Sequence, residues 1–123
     1  MSTLKVTNIQ ATGETASRAV SGVAAASLNY KGTATNTIRY SFNVSSVTDN
    51  TTGNYTTNFS NSMSSADYTV TCAQGGDTSN NEVRVPENGG SLAASGFQVN
   101  TVLVGSSIND TTYLLETIFG DLA

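Results

Sequence analysis

No histidine occurs in the 123 residues, and tryptophan is missing as well. Histidine is the side chain whose ordinary pKa places a charge change near neutral pH. Its absence removes the commonest general base, the Ser-His-Asp and Cys-His arrangements, and most zinc sites. Cys72 is the single cysteine, so it has no intrachain disulfide partner, and its place in an alternating segment predicts a small buried thiol. Proline occurs once, and charged residues make up 11% of the chain, about half the usual share. The basic residues Lys5, Arg18, Lys31, Arg39 and Arg84 are scattered, and the net charge is −4. They form no stripe of the kind a nucleic acid backbone needs, so nucleic acid is not an expected partner. No long apolar run is present, so neither a membrane span nor a secretory leader is expected, and synthesis in the cytoplasm is.

A carboxylate pair remains the one route to acid–base chemistry. Asp49, Asp67, Asp77 and Asp110 all lie in or beside turn-forming segments, where Asp bonds the local backbone and stabilises the turn. The expectation is therefore no enzyme and no catalytic residue. Asp49-Asn50-Thr51 and Asn109-Asp110-Thr111 offer oxygens to a hard cation, but neither segment alone has the acidic density of a calcium loop, so no metal and no cofactor are expected. Gly75-Gly76 and Gly89-Gly90 are followed by no lysine and open no helix, which makes them turns rather than phosphate loops.

Ser, Thr and Asn fill the gap and make up roughly two residues in five. Five Tyr and four Phe, with so little charge and proline, separate this composition from a disordered tract. Threonine suits strands because its branched Cβ is stiff and packs on a pleated surface, while Asn, Gly and Asp suit the turns between them. Period-two alternation confirms the class. Ala24, Ala26, Leu28 and Tyr30 share one face, and Ile38, Tyr40, Phe42 and Val44 give the cleanest pattern in the chain. Val47 follows after a phase slip at Ser45-Ser46 that predicts a bulge, and Asp49 to Gly53 is a dense turn signal. With Tyr55, Thr57 and Phe59 behind it, Ile38 to Phe59 reads as a hairpin. Tyr68, Val70 and Cys72 make another strand, and Phe97, Val99, Thr101 and Leu103 a further one. In the last strand, Tyr113, Leu115, Thr117 and Phe119 compete with Leu114, Glu116 and Ile118 for the inner face, which predicts burial on both sides or an interface. Four of the five tyrosines lie in an apolar register and are expected in the core, though exposed ones would suit stacking on sugar rings.

The expected architecture is an all-β antiparallel β-sandwich of about six to eight short strands, with an extended N-terminal arm. Residues 1–22 form the arm and linker, and residues 23–123 the body. So small a core in a chain of this size leads to the expectation of burial at a subunit interface.

The opening Met-Ser-Thr-Leu-Lys-Val-Thr-Asn-Ile-Gln resembles the start of small tail-fibre and virion-associated proteins of marine bacteriophages. The body is similar to theirs in Ala26-Ser27-Leu28-Asn29-Tyr30-Lys31-Gly32-Thr33, in the run from Ile38 to Asn50, and in Gly53-Asn54-Tyr55-Thr56-Thr57-Asn58-Phe59. Ala26-Ser27-Leu28 stands where the family pattern often has an aromatic residue. The likeness covers residues 1 to 72 best. It implies a homotrimeric β-rich component of the virion, fibre-like, held to other virion proteins by its N-terminal segment. Leu4, Val6 and Ile9 are then the anchor candidates. The long polar stretch from Gln74 to Gly90 is the candidate surface for a host glycan or protein, with Asp77, Asn80, Asn81 and Arg84 as contact residues. The alternative is a capsid decoration protein that stabilises the phage head.

Overall fold

A computed structural model describes residues 2–9, 18–19, 23–76, 81–84, 92–103 and 108–123. Every described element is a strand: β1 (Asn8–Ile9), β2 (Arg18–Ala19), β3 (Ala24–Lys31), β4 (Thr37–Phe42), β5 (Val44–Thr51), β6 (Asn54–Phe59), β7 (Thr69–Gly75), β8 (Asn81–Arg84), β9 (Gly96–Leu103) and β10 (Tyr113–Phe119). β1 and β2 pair with each other, so the arm carries a small antiparallel ladder rather than one plain extended strand. The other eight strands form two antiparallel four-stranded sheets, in the orders β4-β3-β10-β7 and β5-β6-β9-β8. Their inner faces enclose one core, and the body is the expected β-sandwich.

The core follows the alternation where strands are central. Ala26, Leu28 and Tyr30 of β3 point inward, as do Leu114 and Ile118 of β10, Tyr55, Thr57 and Phe59 of β6, and Phe97, Val99 and Thr101 of β9. Phe59, Tyr68 and Phe97 make an aromatic cluster with ring centroids 5.6 to 6.2 Å apart. Edge-to-face contacts of this kind add roughly 0.5–1.5 kcal/mol each beyond area burial. Tyr68 keeps its hydroxyl satisfied by donating to the carbonyls of Ala93 and Gly96, each at 3.0 Å.

The segment with the cleanest alternation departs from expectation. Ile38 to Phe59 is not one hairpin, because β4 belongs to the first sheet and β5 to the second. The break is Asn43, whose φ of 53° lies in the left-handed region that asparagine tolerates. Its Oδ1 accepts from the Asn61 backbone N–H at 2.8 Å and its Nδ2 donates to the Asn61 carbonyl at 3.1 Å, which pins the corner. The hairpin proper is β5–β6, and the phase slip foreseen near Ser45-Ser46 is a register shift between Val44 and Ser46. Gly53 closes it at a φ of 64°, where a Cβ would meet Ile108 and the Asn109 backbone.

Candidate interaction surfaces

The two outer faces differ in chemistry. On the second sheet, the outward residues of β5, β6 and β9 are amides and hydroxyls in register: Thr48 lies opposite Thr56, Thr56 opposite Gln98, and Asn54 opposite Asn100. They bond one another. Asn50 Nδ2 donates to Asn54 Oδ1 and Thr56 Oγ1 at 2.8 Å, Asn58 Nδ2 to Ser46 and Thr48 hydroxyls at 3.2 and 3.1 Å, and Asn54 Nδ2 to Asn100 Oδ1 at 2.5 Å. Gln98 Nε2 donates to Asn54 as well. This ladder is uncharged yet fully compatible with water, and it gives part of the Ser, Thr and Asn excess a structural role. A shallow depression of about 200 Å³ lies on it beside Asn58, Gly96 and Gln98.

The outer face of the first sheet is mixed, with large exposed apolar and aromatic side chains set among Asn, Ser and Thr. Tyr40 is 61% exposed and Phe42 51%, while Tyr113 and Leu115 are both 42% exposed. They are spaced by polar residues: the register sets Tyr40 beside Asn29, Asn29 beside Leu115 and Leu115 beside Ala73 in one row across the sheet. The next row is Phe42, Ser27, Thr117 and Thr71. Arg39 spans the sheet, its guanidinium 4.3 Å from the Tyr113 ring centroid while Nη1 donates to the Thr112 carbonyl at 2.9 Å. The Asn29 Oδ1 atom beneath this layer is buried with no hydrogen-bond partner. Singly exposed apolar residues are ordinary, whereas a contiguous set on one face is characteristic of a surface that another molecule covers.

Tyr40 and Phe42 therefore do not enter the core as their pattern suggests. β4 is an edge strand exposed along its whole length; a register shift at Asn29/Tyr30 sets Ile38 opposite the buried Tyr30 and turns Tyr40 and Phe42 outward. The last strand is partly as foreseen. Its inner face is Leu114, Glu116 and Ile118, and the competing set Tyr113 and Leu115 forms part of the exposed apolar layer. Of the five tyrosines, Tyr30, Tyr55 and Tyr68 are core residues, and Tyr40 and Tyr113 are not.

Among the anchor candidates, Leu4 is 85% and Val6 45% exposed, so neither is covered by this chain. Ile9 pairs with Arg18 between β1 and β2. Of the proposed host-contact residues, Asp77 and Asn80 lie outside the described residues. Asn81 pairs with Leu103 at the edge of the second sheet. Arg84 is exposed and forms an ion pair with Glu82 on the same strand, which accounts for its charge locally. The loop cluster is thus only partly placed; on the first sheet an interface was expected at the last strand alone, not at Tyr40 and Phe42 of β4.

No family model, curated protein or solved structure matches this chain. The candidate surfaces consequently stand on their own geometry.

Two further places hold polar groups. A cleft of about 310 Å³ beside Met63, Tyr68 and Phe119 is edged by Asp67 and Asp121. Ser65 caps a local turn there, its Oγ accepting from the Asp67 backbone N–H at 3.0 Å. The other is inside the core. Glu116, 2% exposed, accepts from the Thr57 hydroxyl at 2.8 Å across the two sheets, and its Oε1 has no partner. It sits between Leu28 and Cys72 in the register of the first sheet. Burial pushes its carboxyl up to about 7 against the lowering effect of the Thr57 bond. Burial and then Glu116 push the Cys72 thiol up to about 12, so that this free cysteine is an inert neighbour, as its place in the sequence suggests.

Proposed function

We propose that this chain is a fibre-like structural component of a bacteriophage virion that associates with two further copies of itself through the outer face of the β4-β3-β10-β7 sheet. The observation that carries this reading is the contrast between the faces. One outer face is a self-satisfied amide and hydroxyl ladder, while the other displays Tyr40, Phe42, Tyr113 and Leu115 in adjacent rows. Water is the natural cover for the first, and burial against protein for the second. The resemblance of residues 1 to 72 to marine phage fibre proteins supplies the virion and the trimer, and the exposed Leu4 and Val6 suit an arm that docks on a neighbouring virion protein. The second-sheet face is then the one turned outward, where paired donors and acceptors suit the hydroxyls of a host-surface glycan.

Light scattering coupled to gel filtration tests the assembly. The expected mass is three times the 12.7 kDa of one chain. A Tyr40→Ser/Phe42→Ser variant should run as a folded monomer, whereas Asn58→Ser, on the opposite face, should leave the trimer intact. A wild-type chain that stays monomeric at micromolar concentration overturns the proposal.

A further inference from the structure

Two acidic turns that are far apart in sequence both reach Tyr55 at one end of the sandwich. Asp49 lies opposite Tyr55 in the β5–β6 register. Tyr55 packs edge-on to Tyr30 with ring centroids 5.2 Å apart, and its hydroxyl donates to Asp110 Oδ1 at 2.8 Å. One oxygen of each carboxylate is engaged. Asp49 Oδ2 accepts from Asn36 Nδ2 at 2.6 Å, and Asp110 Oδ1 also accepts from the Gly53 N–H at 2.7 Å. The remaining oxygens, Asp49 Oδ1 and Asp110 Oδ2, have no protein donor among the described residues, and neither carboxylate forms an ion pair there.

Tyr30 supplies the independent observation. It is 2% exposed, and its Oη is buried without any hydrogen-bond partner. A buried phenolic hydroxyl left unpaired costs about 1–3 kcal/mol, so an unmatched one marks a place where a partner belongs. Its ring packs on Tyr55, the phenol that donates to Asp110, and burial first, then the charges of Asp49 and Asp110, push its hydroxyl up to about 12.

We propose that this end of the sandwich binds a hydrated divalent cation of the calcium class, held between the Asp49 and Asp110 carboxylates, with a cation-bound water donating to Tyr30 Oη. The donor set is oxygen only, which suits calcium and disfavours the softer transition metals. No cluster of three or more acidic, Cys or His side chains exists among the described residues, so water completes the coordination shell. Two carboxylates with several waters place the affinity in the weak class of about 0.1–1 mM. The ion would clip β5 of one sheet to the segment that leads into β10 of the other, closing the sandwich at the Gly53 turn.

Thermal melts of the full chain, stripped with a chelator and titrated with calcium chloride against sodium chloride of matched ionic strength, test this. Tyrosine emission is a second readout, undisturbed because the chain has no tryptophan. At 10 mM calcium the melting temperature should rise by about 5 °C or more. Asp49→Asn and Asp110→Asn should each abolish the rise. Tyr30→Phe removes only the hydroxyl, so it should fold and bind calcium at least about threefold more weakly. The proposal is overturned by a calcium effect no larger than that of sodium chloride, or by a rise that persists unchanged in Asp49→Asn or in Tyr30→Phe. Because Asp110 also ties down Gly53 and Tyr55, its variant is judged only if folded; Asp49→Asn and Tyr30→Phe decide the matter without it.

Discussion

At the scale of single residues, the least expected group is Glu116. Nothing in the alternation marks it: the last strand offers two nearly equivalent faces, and a carboxylate on one of them argues for turning that face to water. The structure turns it inward together with Leu114 and Ile118, its fully buried neighbours on the same face, although Tyr113, Leu115 and Phe119 opposite are no less apolar. A buried carboxyl is tolerated in its neutral form, and that makes stability depend on pH. In the folded chain the carboxyl titrates at about 7, against an ordinary value of 4.5. Below the lower value both states hold the proton. Between the two values the unfolded chain releases a proton that the folded chain keeps, so stability falls as pH rises through this window and levels off above it. The slope is about 1.4 kcal/mol per pH unit, which sums to about 3 kcal/mol over the window. Cys72 and Tyr68, the other titratable groups near it, are pushed up to about 12 and stay neutral across that range. Glu116→Gln keeps the shape and removes the titration. Urea melts of the wild type should lose stability between pH 5 and 8, and those of the Gln variant should stay flat. Parallel slopes in the two proteins would show that another group is responsible.

At the scale of elements, central strands were legible and the edge was not. β3, β6 and β9 have neighbours on both sides and one solvated face, so their inward residues are the apolar ones that alternation identifies. β4 shows the same alternation for a different reason, because a register shift turns Tyr40 and Phe42 to an outer face while Ile38 stands opposite the buried Tyr30. Period two reports that a strand has two unlike sides; it does not report which side is the core. The run from Ile38 to Val47 also conceals a change of sheet, since a single left-handed asparagine interrupts the backbone without disturbing the hydrophobic pattern. Asn43 is therefore the residue on which the β4–β5 corner depends. Asn43→Ala removes three side-chain bonds to Asn61 and places a β-carbon with no compensating amide at a φ of 53°. The expected loss is about 2 kcal/mol, from left-handed strain of about 1–2 kcal/mol and the lost hydrogen bonds. Asn43→Gly keeps the backbone freedom and should cost less than the Ala variant. Chemical denaturation of the pair separates the two causes, and an Ala variant no less stable than the Gly variant would rule out a conformational role for the corner.

At the scale of the whole molecule, the fold explains why a chain poor in large apolar residues is built with an unburied aromatic layer. A core of this size supplies limited stability alone, and covering Tyr40, Phe42, Tyr113 and Leu115 on association would add burial that the monomer lacks. The sandwich was readable from composition and turn spacing; the approach of Asp49 and Asp110 to the same Tyr55, and the contrast between the outer faces, exist only once the strand order is known. That same order separates assembly from attachment. The interface assigned to self-association lies wholly on the body, while Leu4 and Val6 project on the arm with 85% and 45% of their surfaces exposed. Removing residues 2–7 should accordingly leave the melting temperature of the body within about 2 °C and the trimer intact, because surface segments away from core contacts change stability by roughly 0.5 kcal/mol or less. Association with phage particles, followed by co-sedimentation of the purified chain with particles that lack it, should be lost. If the truncated chain still co-sediments, the arm is not the attachment element and the body itself must dock. If the truncation dissolves the trimer instead, the arm belongs to the self-association interface, and the first-sheet face cannot be its whole extent.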